Sequence, residues 1–303
     1  MAFTKIPDLG GATMTMIDVD DPTFIHPRFH NDGPATKEIF QKVPDFQFRD
    51  DDVMLCTFAK TGTHWMYELI SMAQYKSADR IKPSKVQTML EAQTAEDIDK
   101  VPSPRVVNAH YCYRYLPVKG LREKQIKTVL CVRNPKDTAV SYYNHMCGIK
   151  FYEYNGKWED WLPVYLDGKL EYGKYTSWLK EWDVAIRDGI GFPLHVIYYE
   201  DLKANCAAEF KKLLKFLDIE LSDELQTQII ENCGFDQMAP TKYPPPIKQL
   251  FFKDEFNIFR KGETGDWQNW FTVAQNEMFD QKWSSEMKDH NVFDFKYTLP
   301  AKM

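Results

Sequence analysis

The sequence predicts an α/β protein, a single domain with a mostly parallel central sheet flanked by helices, and three observations carry that expectation. Four short apolar runs, at residues 53–58, 106–109, 128–132 and 195–199, lack the strict alternation of half-exposed strands. Parallel strands covered on both faces read this way. Helical spacings lie between them: Tyr67, Leu69, Ile70, Met72 and Ala73 after the first run, and Phe210, Leu213, Leu214, Phe216 and Leu217 after the last. Strands alternating with helices imply helices packed on one mostly parallel sheet. The third observation is chemical. The runs end at Lys60, His110, Arg133 and Glu200-Asp201, and open α/β sheets bind ligands beyond the carboxyl ends of their strands.

The first run leads into Lys60-Thr61-Gly62-Thr63 and then a helical segment from Trp65. A strand, a tight glycine turn with a lysine, and a helix start together make an anion site. The first helical N–H groups have no partner within the helix and carry partial positive charge. Lysine adds a full charge, and glycine lets the backbone approach closely. The loop resembles a P-loop in this respect only, because a Walker motif requires Gly-x-x-x-x-Gly-Lys-Ser/Thr. Each strand-end residue also has a mundane alternative. Lys60 is a solvated loop lysine, His110 a satisfied core histidine, Arg133 the partner of a surface carboxylate. Their coincidence at matching topological positions favours one shared crevice.

The bulk composition narrows the function classes. The chain has 303 residues, 44% hydrophobic and 27% charged, with no linker or composition break. That predicts one large domain over 1–303, with 1–45 a segment lining the acceptor side of the site. The net charge of −6 argues against nucleic-acid binding, which calls for a basic surface. No stretch approaches the ~20 apolar residues of a membrane span, and the first 20 residues carry three aspartates and no apolar signal core. Six cysteines without a Cys-x-x-Cys pair fit reduced thiols in a cytoplasmic protein. Seven scattered histidines support no metal site.

Taken together, the motifs resemble those of the cytosolic sulfotransferases, which transfer a sulfuryl group from 3′-phosphoadenosine 5′-phosphosulfate (PAPS) to a hydroxyl or amine. The resemblance extends from Val53 to Glu277. The phosphosulfate loop is similar to Thr57-Phe58-Ala59-Lys60-Thr61-Gly62-Thr63-His64-Trp65. The 3′-phosphate segment is similar to Cys131-Val132-Arg133-Asn134-Pro135-Lys136-Asp137 with Ser141-Tyr142-Tyr143. Tyr199-Glu200-Asp201 fits the next signature, and Arg260-Lys261-Gly262 with Gly265-Asp266-Trp267 fits the C-terminal cofactor loop.

The resemblance implies roles. Lys60, with the backbone from Thr61 and Gly62 through Thr63, His64 and Trp65, holds the 5′-phosphosulfate, and Lys60 then shifts to the bridging oxygen as the S–O bond breaks. Arg133, Ser141, Arg260, Lys261 and the Gly262 N–H hold the 3′-phosphate, through charge-assisted bonds of about 1.5–3 kcal/mol each. Trp65 and Phe235 sandwich adenine, and Tyr199, Cys233 and Met238 complete the nucleotide site. His110 is the general base, and Ser141 stands beside Lys60 in the catalytic group. Loose, in-line transfer is stabilised by positioned cations, so no metal is expected.

Three departures from the family pattern matter. Asn108-Ala109-His110 stands where Lys-Thr-His is common in animal members, so Asn108 is expected at the reacting centre without a charge. The phosphosulfate loop has Thr61 for the usual serine and keeps the hydroxyl. Gln268 replaces the lysine of a dimer motif otherwise present in Thr272, Val273 and Glu277, which leaves homodimerisation open. The acceptor is expected to be a small phenol, alcohol or sterol, lined by Asn108, His110, His145, Phe151, Tyr152, Tyr154 and Tyr243. The proline-rich stretch from Met238 to Gln249 reads as a lid or a surface connection. Two alternatives stand beside this reading: a catalytically weak nucleotide-binding member of the fold, and a nucleotide phosphoryl transferase.

Overall fold

The computed structural model describes residues 3–29, 32–80, 84–241, 245–254 and 256–299, with side chains given outside 240–247. The chain begins with three antiparallel strands, β1 (Phe3–Pro7), β2 (Thr13–Asp21) and β3 (Phe24–His26), in spatial order β1-β2-β3. No apolar run in the sequence analysis pointed to this sheet. Met14, Met16, Ile17 and Val19 of β2 are buried in the main core. The sheet is anchored laterally: the His26 ring meets the Tyr111 hydroxyl at 2.9 Å. Helix α1 (Gly33–Lys42) follows, capped by the Asp32 side chain, which accepts from the Ala35 N–H.

The four predicted runs form the central sheet: β4 (Val53–Thr57), β5 (Val106–Ala109), β6 (Lys127–Val132) and β7 (Leu194–Tyr198). Their order is β5-β4-β6-β7 and every pairing is parallel, with Cys56 aligned to Ala109 and to Leu130. Side-chain alternation divides the core in two. Met54, Cys56, Val107, Ala109, Leu130 and Val132 face one hydrophobic cluster. Val53, Leu55, Val106, Val129, Cys131 and Ile197 face the other. Helix α2 (Thr63–Tyr75) covers the second face with Met66, Leu69, Ile70 and Ala73, the 3–4 spacing of a core-facing stripe. Burying each of its large side chains contributes about 1.5–3 kcal/mol.

The far end of the sheet is fixed by charge. Arg105, fully buried, donates to both Asp52 oxygens at 2.8 and 2.6 Å, locking the starts of β4 and β5 together. Removing Arg105 would strand the buried Asp52 charge, at a cost of about 3–5 kcal/mol.

The proline-rich stretch carries short helical turns. Its described parts are two short helices, Phe235–Thr241 and Pro245–Phe251, and Tyr243 lies outside the described residues. All six cysteines are free thiols. Among the described residues no helix is long and apolar enough to cross a membrane, and no group of three or more potential ligands stands close enough to hold a metal ion.

Candidate active site

A cavity of about 610 Å³ opens at the carboxyl end of the sheet. It is lined by residues from all four strand ends and from the C-terminal loop, which no local sequence pattern brings together.

The β4–α2 turn forms one wall. Lys60 and Gly62 both have positive φ, +73° and +111°. Gly62 is the residue preceding the helix, and a Cβ there would press on the Tyr199 ring, so both the conformation and the space require glycine. Lys60, Gly62, Thr63, His64 and Trp65 line the cavity. The Thr61 side chain does not. Its hydroxyl turns inward and donates to the carbonyls of Phe58 and Cys131 at 2.9 and 3.0 Å, fastening the turn to β6. The Thr61 backbone is engaged as well, its N–H with the Phe58 carbonyl at 3.3 Å and its carbonyl with the Cys131 thiol at 3.1 Å.

Burial, followed by repulsion from Arg133, Lys85 and Arg260, brings the Lys60 ammonium down to about 7. These cations line one cavity and repel one another, an arrangement that an oligoanionic ligand relieves.

The second wall is held by carboxylates with structural roles. Arg133 follows β6 and is 8% exposed. It donates to the carbonyls of Lys60 and Glu263 at 3.3 and 3.0 Å and stacks over Tyr199 at 4.3 Å. Asp266 accepts from both Arg260 and Lys261, and these contacts bring its carboxyl down to about 2 against the opposing effect of burial. Asp137 accepts from the Gly265 and Trp267 N–H groups at 2.7 and 2.9 Å, tying the loop to the helix Pro135–Gly148 that carries Ser141. Glu200 accepts from the N–H and the side-chain amide of Asn134, at 2.9 and 3.0 Å. Asp137, Glu200 and Asp266 were read in the sequence as motif letters without roles. Gly262 has φ +66°, and a Cβ on it would collide with the Phe235 ring. Ser141, Tyr199, Cys233, Phe235, Met238, Arg260, Lys261 and Gly262 all line the cavity, as do Trp65 and Arg133.

The third wall is the end of β5. His110 Nδ1 lies 3.0 Å from the Thr57 carbonyl and 2.9 Å from the Thr57 hydroxyl. A carbonyl only accepts, so Nδ1 carries the proton and Nε2 keeps its lone pair. Burial, with Lys85 and Lys60 nearby, holds the imidazole well below its ordinary value. His110 is therefore neutral at physiological pH. Its backbone N–H donates to Glu91.

Two expected acceptor residues stand elsewhere. Asn108 is fully buried and absent from the cavity wall. It lies on the α2 side of β5 with Val106, where its Nδ2 donates to the Lys85 carbonyl at 2.8 Å and to Thr88 at 3.3 Å. Alternation sets Asn108 on the Val106 face of β5, whereas His110 lies beyond the last strand residue, Ala109, and its ring is directed by its contacts with Thr57. Tyr154 is buried too, and its hydroxyl donates to Asp8 at 2.7 Å, fastening the N-terminal sheet. His145, Phe151 and Tyr152 do line the cavity, with Arg28 and Phe29 from the N-terminal segment.

Lys85 was not foreseen. It sits in a short 3-10 turn, Lys85–Thr88, is 6% exposed, and lines the cavity close enough to Lys60 and His110 to oppose their protonation. Burial lowers its ammonium to about 8 against the attraction of Glu91. Glu91 itself is raised by burial to about 7. The signal available in the sequence was Glu91, a lone charge in the apolar stretch 89–92.

A family model for the sulfotransferase domain matches residues 50–291. The chain belongs to the sulfotransferase family. It is 32% identical over 273 residues to rat sulfotransferase 1A1, covering 86% of this chain and 91% of the relative. Dog sulfotransferase 1B1 is 32% identical over 262 residues, covering 82% and 87%. Among solved structures, mouse sulfotransferase SULT7A1 complexed with PAP superposes with a TM-score of 0.73 at 28% identity, over 89% of this chain and 94% of that one. Retinol dehydratase in complex with androsterone and inactive cofactor PAP shares the fold, with a TM-score of 0.74 at 16% identity over 95% and 94%. This sulfotransferase thus has a cavity lined by cations and aromatic rings, with a neutral histidine, at the strand ends of a shared fold.

Proposed function

We propose that this sulfotransferase moves the sulfuryl group of PAPS to a hydroxyl of a small acceptor, with His110 as general base. The observation that carries the reading is the Thr57 carbonyl at His110 Nδ1, which leaves Nε2 as the basic nitrogen in a cavity that also holds Lys60. The acceptor oxygen forms a bond to sulfur as its proton passes to Nε2. The bond from sulfur to the bridging phosphate oxygen breaks, and its electron pair leaves with adenosine 3′,5′-bisphosphate (PAP).

Lys60 neutralises charge on the bridging oxygen, and the first N–H groups of α2 hold the 5′-phosphate. Arg133, Arg260, Lys261 and Ser141 bind the 3′-phosphate. Trp65 and Phe235 offer ring faces to adenine. Lys85 supplies a second cation facing the transferring group, delivered from a turn rather than from β5. Asn108 positions it by holding its backbone carbonyl, so the missing lysine at 108 is compensated from a different element. Charge compensation by placed lysines and arginines gives transfer that needs no metal.

The deciding experiment incubates the enzyme with labelled PAPS and a panel of phenols, sterols and aliphatic alcohols, with and without chelator. Label should move to at least one hydroxylated acceptor irrespective of chelator. Absence of transfer to every acceptor, with PAP still bound, would favour a binding protein. Chelator-sensitive transfer of phosphate would indicate a phosphoryl transferase.

A further inference from the structure

The cavity also holds a carboxylate that nothing in the proposed transfer uses. Glu171 is 1% exposed and lines the cavity beside His145, Tyr152 and Tyr172. The Tyr152 hydroxyl donates to Oε1 at 2.6 Å, but Oε2 is buried without a hydrogen-bond partner. Among the described residues no lysine or arginine forms an ion pair with it, and no cation offsets the burial that raises its carboxyl to about 7. Arg28, the nearest cationic lining residue on the N-terminal segment, is directed to the Phe151 carbonyl and to Glu153.

A buried carboxylate with an empty acceptor atom is unfavourable on its own, and its best partner is a charged donor. The surroundings reward the same partner. His145 and Tyr152 pack ring to ring at 5.7 Å, and Tyr172 packs against His110 at 5.3 Å. Two tyrosine rings beside a carboxylate form an environment for an ammonium group.

Resting on the sulfotransfer reading above, we infer that Glu171 is a specificity-determining residue whose carboxylate receives the ammonium group of an amine-bearing phenol or alcohol, with the reacting hydroxyl directed to His110. The acceptor class is thus a hydroxylated amine. The uncompensated Oε2 receives a charge-assisted hydrogen bond, and the amine keeps Glu171 ionised despite its burial.

The test compares tyramine with two neutral phenols of similar size, 4-ethylphenol and 2-(4-hydroxyphenyl)ethanol. Binding to the enzyme–PAP complex is measured by calorimetry, and kcat/KM is measured with PAPS. The wild type is expected to favour tyramine over both neutral phenols by at least about tenfold. Glu171→Gln, which keeps size and the bond from Tyr152, should lose about tenfold or more for tyramine and less than about threefold for the neutral phenols. Equal handling of all three by the wild type overturns the inference without any variant, and so does preference for the neutral diol, which would mean that Glu171 serves a hydroxyl. Uniform losses in Glu171→Gln also overturn it, while unchanged PAP affinity and melting temperature verify that the variant is folded. The two readings fail separately. Tyramine binding to the PAP complex needs no turnover, so absence of all sulfation would sink only the transfer reading. Sulfation of neutral phenols with no amine preference would sink only this one.

Discussion

Replacing Lys85 by methionine isolates the second cation. Methionine keeps a comparable unbranched chain in a site that is nearly closed to solvent, so the perturbation removes charge with little loss of packing. Two unit charges about 4 Å apart at an effective dielectric of about 20 interact by roughly 4 kcal/mol, an upper bound for the transferring group. Two features reduce it. Glu91 attracts the same ammonium, and its pKa near 8 leaves it charged in most but not all molecules at pH 7. A net loss of about 1.5–3 kcal/mol of transition-state stabilisation remains, or roughly 10–100-fold in kcat. PAP lacks the sulfuryl group, so its Kd should change less than about threefold. Single-turnover kinetics with labelled PAPS, beside calorimetric PAP titration, separates the two quantities. Lys85→Arg should restore part of the rate. A Lys85→Met enzyme with kcat within twofold of wild type would refute the assignment. The same geometry governs Asn108. Asn108→Lys should destabilise the fold and fail to raise kcat, because the new charge enters the closed space between β5 and the 85–88 turn.

Further outcomes follow from the site. His110→Ala should lower kcat by about 10²–10⁴ while PAP binding stays near wild type. The low His110 pKa puts the acid limb of the wild-type kcat/KM profile below pH 6.5, and loss of charge on Lys60 and then Lys85 lowers kcat/KM above about pH 7–8. PAP binding at pH 8 should take up close to one proton, because an oligoanion raises the Lys60 pKa from about 7. Calorimetry in buffers of different ionisation enthalpy measures this, and zero uptake would mean that Lys60 does not meet the phosphate. Arg133→Ala should weaken PAPS far more than adenosine 5′-phosphosulfate, which lacks the 3′-phosphate; equal losses would place the arginine elsewhere. Gly262→Ala should weaken PAP binding at least tenfold, through positive φ and collision with Phe235, as read by titration.

The sequence by itself determined the central sheet and the glycine turn between β4 and α2, because both are local. Residues 53–58 and 128–132 are continuously apolar whatever lies around them, and Lys60-Thr61-Gly62-Thr63 carries its own backbone conformation and charge. Strand ends then follow from one topological rule, so Lys60, His110 and Arg133 were legible as a shared site before any coordinate. The orientation of Asn108 was not. In a strand buried on both faces no polar–apolar alternation marks which side meets the cavity, and the side chain two before His110 turned to α2. Lys85, Glu91 and Glu171 were also decided only by tertiary structure. Their significance lies in what burial removes, namely water, and a buried lysine or carboxylate looks in sequence like any surface one. The N-terminal sheet was missed for a related reason. Its Met14-Thr15-Met16-Ile17 stretch is short, and only packing against Tyr111 and the helices of the main core makes it a strand worth forming.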